Sequence, residues 1–382
     1  MSLTNSDIAE LTAFRRVLHR HPELSGAECE TARRVCAEIT SLKPDQIVTD
    51  LGGHGVAAVF DGGVDGLTLL FRCELDALPI PEISDQPHRS TIDGHGHLCG
   101  HDGHMTILAG LARRLSRQRP KQGRVILLFQ PAEETGAGAA AVLDDPKFAR
   151  IAPDYSFSLH NVPGFERGHV GLKSGPVCCA SRGIELTLTG TPAHASQPET
   201  GTSPMPVLSW VMPRLAALSK GDTSDPDFTL VTITHASMGE PTFCIAPGEA
   251  TLFATLRTLT DDRMQALCDT ALEIVDQAVS DHGPTAIHRY HDIFQHCEND
   301  PLATGIIATA LDTLQIPHDQ TGLPFRPSED FGRFGAVSKS AMLFLGAGTD
   351  TPPLHNPRYD FPDDLIPIGT RIFEQIARDM LG

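Results

Sequence analysis

The stretch "GHLCGHDGH", residues 96–104, sets three histidines, a cysteine and an aspartate in nine positions. Cys99 and His101 stand two apart, a spacing at which an extended or looped backbone aims both side chains the same way. Thiolate and imidazole suit zinc or another borderline divalent ion. The same residues equally fit a buried cysteine beside a helix start capped by Asp102, and the stretch alone does not choose. "QPAEE" (130–134) ends in Glu133 and Glu134 and is followed by the small residues of "TGAGAAA". Small residues permit a tight helix start. If the backbone turns sharply there, one carboxylate can ligate a metal and the other can take a proton from an activated water.

His160 and His355 each follow an apolar run. With Cys99, His101 and Glu134 they make five candidate ligands. A structural zinc takes four, whereas five suit two ions about 3.5–4 Å apart, with positions left for water and substrate. Asp76, in "ELDALP", fits a role orienting a ligand or base, and Glu74 is a weaker candidate of the same kind. Two further residues lie apart in sequence. His194, in "TPAHASQPETG", could donate to a developing oxyanion if its segment swings over the site or a second subunit presents it. Arg257, ending "LFATLRT", could grip a substrate carboxylate with two parallel bonds.

The elements that must position these residues are also legible. "LTLLF" (67–71), "RVILLF" (124–129), "YSFSL" (155–159) and "SAMLFLGAG" (340–348) are short apolar runs that read as buried strands. Each is followed by ionisable residues. Between them lie helical patterns such as "MTILAGLARRLSR", with Met105, Leu108, Leu111 or Ala112, and Leu115 on one face. Strands alternating with helices predict an α/β fold with a mostly parallel sheet and helices on both faces. In such sheets, sites form beyond the carboxyl ends of the strands, where the candidates cluster.

The middle of the chain reads differently. "GIELTLTG" (183–190) alternates apolar and polar residues. A helical stretch near 203–219 follows, then strands at 228–236 and 250–258, a helix near 261–280 and a last strand in "AIHRYH". The order β-α-β-β-α-β describes a small α+β domain. The sequence therefore predicts a metal-binding domain from 1–180 and 292–382, with an inserted domain at 181–291.

Bulk properties narrow the function. A chain of 382 residues favours two domains. A formal net charge of -18, with no lysine or arginine run, argues against nucleic acid or anionic membrane as partner. No apolar run approaches a membrane span, and the N-terminus lacks the apolar core of a signal peptide, so a cytoplasmic location is expected. Nine cysteines without a C-x-x-C pair fit reduced thiols. The absence of G-x-S-x-G disfavours a serine hydrolase, and there is no P-loop.

"LHRHPELSGAECET", "RCELDALPI", "LCGHDGH", "FQPAEE", "SLHNVPG", "TPAHASQP", "LFATLRT", "SEDFGRF" and "LHNPRYDFPDDLIPIG" together cover nearly the whole chain. In that order they resemble the amidohydrolase branch of the aminoacylase/carboxypeptidase G-like metallopeptidases. That branch contains hippurate hydrolases, N-acyl-amino-acid amidohydrolases and indoleacetyl-amino-acid hydrolases. The resemblance implies a catalytic α/β domain with two divalent ions (zinc, manganese, cobalt or nickel) and an inserted lid or dimerisation domain. It implies Cys99, His101, Glu134, His160 and His355 as ligands, Glu133 as general base, and His194 as the oxyanion-stabilising histidine. Arg257 matches an arginine used on the substrate carboxylate. The implied reaction is hydrolysis of the amide of a small N-acyl amino acid by a homodimer or higher homo-oligomer. A dipeptidase or deacetylase of the same superfamily, a non-catalytic binding member, and a hydrolase with Cys99 as thiol nucleophile are the alternatives. Two departures bear on substrate choice: Cys244 replaces a usual asparagine, a far stronger hydrogen-bonding group, and Ser203 stands where an aspartate is common.

Overall fold

The computed structural model describes residues 3–382, and they form two compact units. The first comprises the chain up to Val177, Glu298–Leu323 and Asp330–Gly382; the second comprises Cys178–Cys297 and Pro324–Glu329.

The first unit is built on an eight-stranded sheet in the order Gln46–Leu51, Gly55–Asp61, Arg124–Gln130, Thr68–Glu74, Tyr155–Pro163, Lys339–Gly348, Val170–Gly171, His318–Asp319. The four central strands, Arg124–Gln130 to Lys339–Gly348, run parallel. They coincide with the four apolar runs of the sequence. Leu69, Phe71, Val125, Leu127, Phe157 and Leu343 face one core cluster. Their alternates Leu70, Ile126, Leu128 and Met342 are equally buried. Both faces are covered, so these strands carry continuous rather than alternating hydrophobicity. Because the four strands are parallel, their carboxyl ends meet along one edge: Glu74 lies beside Gln130, and His160 beside Phe344.

The helix His101–Arg117 is buried around its entire circumference from His101 to Leu115. The single apolar stripe expected from the sequence is therefore too narrow. Helices Asn5–Arg20, Cys29–Ser41 and Leu365–Leu381 pack against it, as does the strand Thr68–Glu74. A helix enclosed in this way needs little polar surface. Its N-cap is Gly100, and Asp102 lies inside it. Asp102 does not cap the helix because its carboxylate is drawn to Arg15 and His19.

The second unit is a four-stranded antiparallel sheet, Thr229–Met238, Glu249–Thr258, Ala180–Thr189, Thr285–Phe294, with helices Met205–Ala216 and Asp261–His282. The element order is β-α-β-β-α-β. Ile184, Leu186, Leu188, Leu252, Ala254 and Leu256 form its core with Val207, Val211, Met264 and Leu267 of the helices. Thr187, Thr189 and Phe253, on the other face, are exposed. Among the described residues, no helix is long and apolar enough to cross a membrane.

Candidate metal centre

The acidic turn follows Arg124–Gln130. Ala132 adopts the left-handed backbone, φ 52°, and this ends the strand abruptly. The turn is closed by the Gly136 amide donating to Glu133 O at 2.7 Å and the Gly138 amide to Ala132 O at 3.0 Å. Glu133 and Glu134 thereby leave strand alternation and both approach His101. Its Nε2 lies 3.9 Å from an oxygen of each.

Cys99 and His101 are brought together by a different device than an extended chain. Gly100 between them has φ 93°, and His101 already belongs to the helix. A Cβ at Gly100 would meet Asn161 Oδ1 at 2.1 Å, so only glycine fits. Cys99 Sγ lies 3.4 Å from His160 Nε2. His160 sits within a strand that runs on to Pro163 rather than after its end. His355, itself left-handed at φ 65°, donates its amide to Leu98 O at 2.8 Å. Its Nε2 is 3.6 Å from Glu134. Cys99, His101 and His160 form one group of donor atoms within 4.8 Å of one another; so do Cys99, Glu134 and His355, and so do His101, Glu133 and Glu134. All five candidate ligands and the candidate base therefore share one place.

Hydrogen bonds fix how the rings present themselves. His101 Nδ1 donates to the Asp76 carbonyl at 2.9 Å, since a carbonyl only accepts. His160 Nδ1 donates in the same way to Asn161 O at 2.8 Å. Each neutral ring then aims an Nε2 lone pair at the group, the tautomer a metal needs. His101 Nε2 is buried with no hydrogen-bond partner, which is costly unless a cation is bound there. His104 differs: its Nε2 accepts from the Asn161 amide at 3.2 Å and its Nδ1 donates to Glu74 at 2.6 Å. With both nitrogens used, it serves as support. Asp76 accepts from the Ser25 hydroxyl at 2.7 Å and the Glu134 amide at 3.0 Å.

The electrostatics point to a missing positive charge. Burial opposes charging His101, yet the Asp76 carboxylate beside it, with those of Glu74 and Glu134, outweighs burial and holds the ring up at about 10. The site captures a proton that a divalent ion would displace. Burial, reinforced by His104, pushes His160 down to about 3, leaving it a neutral donor. Burial and the Glu134 and Glu133 charges raise the Cys99 thiol well above its usual range. A reactive thiol needs the opposite shift, so burial and the neighbouring carboxylates do not activate Cys99 as a nucleophile. Mixed thiol, imidazole and carboxylate donors fit borderline divalent ions.

The remaining candidates lie in the second unit. His194 belongs to a two-stranded ribbon, Ala193–His194 with Ile245–Ala246. The Ala195 amide donates to Cys244 O at 3.0 Å, so Cys244 neighbours His194. The Ser196 amide donates to His194 Nδ1 at 3.1 Å, and the Ser196 hydroxyl lies 2.8 Å from it. Nδ1 is thus an acceptor, and a neutral His194 carries its proton on Nε2. Ser203 bonds the Met205 amide at 3.2 Å, a local turn contact. Arg257 donates to Arg326 O at 3.1 Å and to Ser328 Oγ at 2.9 Å.

Peptidase family M20/M25/M40 has a sequence profile that matches residues 70–379. The chain belongs to this family. M20 relatives hydrolyse amide bonds, and this chain is a hydrolase of that family. It is 28% identical to the N-acetylcysteine deacetylase of Bacillus subtilis strain 168 over 375 residues, covering 96% of each chain. It is also 28% identical to the hippurate hydrolase of Campylobacter jejuni over 371 residues, again covering 96% of each. Among solved structures, a dinuclear metal-binding M20 peptidase from Bacillus subtilis matches with a TM-score of 0.83 at 25% identity, covering 99% of both chains. The likeness supports divalent metal ions in the M20 fold found here, an α/β unit with a mostly parallel sheet.

Proposed function

We propose that the protein is a two-metal amidohydrolase that cleaves N-acyl amino acids. The observation that carries this reading is the buried, unpartnered His101 Nε2 facing both Glu133 and Glu134 beside Cys99, His160 and His355. We assign Cys99, His101, Glu134, His160 and His355 as the residues that hold the ions, zinc, manganese, cobalt or nickel. Bound there, divalent ions supply Lewis acidity to the scissile carbonyl and acidify the attacking water.

The chain's own residues do the rest. Glu133 takes the proton of the water and returns it to the leaving amine. Asp76, hydrogen-bonded to Ser25 and the Glu134 amide, holds His101 in its tautomer. His194, with its Nδ1 committed to Ser196, donates Nε2–H to the developing oxyanion. Arg257 binds the substrate carboxylate. Its partners here are a carbonyl and a hydroxyl, and no ion pair neutralises it among the described residues. Burial already lowers its pKa, so an incoming carboxylate supplies the missing countercharge. Cys244, beside His194, gives the acyl pocket a thiol. The names of the deacetylase and the hippurate hydrolase support acyl-amino acids as the substrate class. Assembly as a homodimer or higher oligomer through the second unit acting as a lid, with domain limits near 181 and 291, and a cytoplasmic location complete the proposal.

The test is an activity screen of protein reconstituted separately with each of the four metals. N-acetyl, N-benzoyl and indoleacetyl amino acids and simple dipeptides form the panel. Release of a free amino acid is expected. Glu133→Gln retains two ions per chain by elemental analysis and loses about 10²–10⁴-fold in kcat. Full activity of that variant overturns the mechanism. Metal-loaded protein that turns over nothing in the panel indicates a binding protein. Chelator-insensitive activity that thiol alkylation destroys makes Cys99 the nucleophile.

A further inference from the structure

A loop from the N-terminal part of the chain fastens both acidic turns of the candidate centre. The Ala77 amide donates to Glu23 O at 2.8 Å, and the Ser25 hydroxyl reaches Asp76. Glu28 Oε1 accepts two amides, Gly26 at 2.9 Å and Ala132 at 2.8 Å. The second of these is unexpected on local grounds. Glu28 is the N-cap residue of helix Cys29–Ser41, yet its side chain makes no capping bond. Glu23 takes that task, accepting from the Glu30 and Thr31 amides. The Glu28 carboxylate, fully buried, is thus turned away from its own helix onto a residue 104 positions further along.

The residue it reaches is the one that makes the turn. Ala132 is left-handed, a conformation that is unfavourable for any residue other than glycine. It persists only where surrounding bonds over-determine it. The Gly138 amide holds its carbonyl, and Glu28 holds its amide. Glu133 and Glu134 follow directly, so their aim depends on that peptide.

We propose that Glu28 is a positioning residue for the reaction: by accepting the Ala132 amide it holds the left-handed turn that aims Glu133 and Glu134. This rests on the reading of Glu133 as base. What matters is the reach of a hydrogen-bond acceptor rather than the charge, so two variants separate the causes. Glu28→Gln keeps the reach and loses the charge. Glu28→Asp keeps the charge and loses the reach.

Kinetics, metal content and hydrogen exchange at the Ala132 amide are measured on the metal-loaded full chain. Glu28→Asp is expected to lose about 10–100-fold in kcat, with KM changed less than about threefold and the Ala132 amide no longer protected. Glu28→Gln is expected to stay within about threefold of the parent in kcat, with protection retained. Equal loss in both variants, or loss confined to Glu28→Gln, overturns the proposal. So does an Ala132 amide protected equally in all three proteins. Exchange is read without substrate, so an inactive parent protein refutes the hydrolase reading and leaves this test standing.

Discussion

Two buried histidine clusters flank the start of helix His101–Arg117, and they settle their charge in opposite ways. On one side Arg15, fully buried, bonds Asp102 at 3.2 Å, Asp360 at 2.6 Å and Asp363 at 2.8 Å. His19 meets Asp102 at 2.8 Å, and His88 meets Asp360 at 2.9 Å. The cations there are part of the chain. On the other side Asp76 accepts from a hydroxyl and an amide, the His101 ring stands 3.5 Å from its second carboxylate oxygen, and His101 Nε2 is left without a hydrogen-bond partner. Histidine next to carboxylate therefore does not by itself mark a metal site. The mark is a set of donors whose charge balance requires something from outside the polypeptide.

Metal removal should split the two clusters most sharply. Dialysis against a chelator is expected to abolish turnover, and adding a divalent ion back should restore it, while far-UV circular dichroism stays unchanged. Loss of secondary structure on chelation would mean that the Arg15 cluster does not hold its region unaided. Next in size is Arg15→Met. It takes the guanidinium away from buried Asp102 and half-buried Asp360, leaving only the histidines beside them, and should cost about 3–5 kcal/mol in urea unfolding. Metal stoichiometry per folded chain is expected to stay the same, and a fall in it would show that the clusters act as one.

The smallest effect is a pH dependence. Burial disfavours charge on His19, but Asp102 and Glu82 outweigh it and raise the ring from 6.5 to about 9. A raised pKa means the stabilisation is fully present below pH 6.5, fades between 6.5 and about 9, and is gone above. Over that window, stability should fall by roughly 1–3 kcal/mol more in the parent than in His19→Gln at equal metal loading. Parallel curves for the two proteins would remove His19 from the account.

The four apolar runs were readable because each is buried on both faces and carries its own pattern. The second unit was readable because one wet face forces alternation. What escaped depends on partners far along the chain. His97 reads as loop, yet it is buried with both nitrogens unpartnered and held down at about 4 by burial. Asp102 reads as a cap until Arg15, 87 positions away, claims it. Within the site, the family resemblance rather than spacing separates the roles of Glu133 and Glu134, because adjacent carboxylates look alike in one dimension. Ser25 and Glu28 carry no local signal beyond their place in "LHRHPELSGAECET". Their importance appears only when Asp76 and Ala132 come within hydrogen-bond distance.

The ribbon that seats His194 uses the carbonyl of residue 244 and not its side chain. Backbone carbonyls are common to every amino acid, so the exposed thiol can be exchanged while the histidine keeps its seat. On the proposed reading, position 244 is therefore a handle on acyl preference, and a saturation library there is expected to change substrate choice while His194 stays in place.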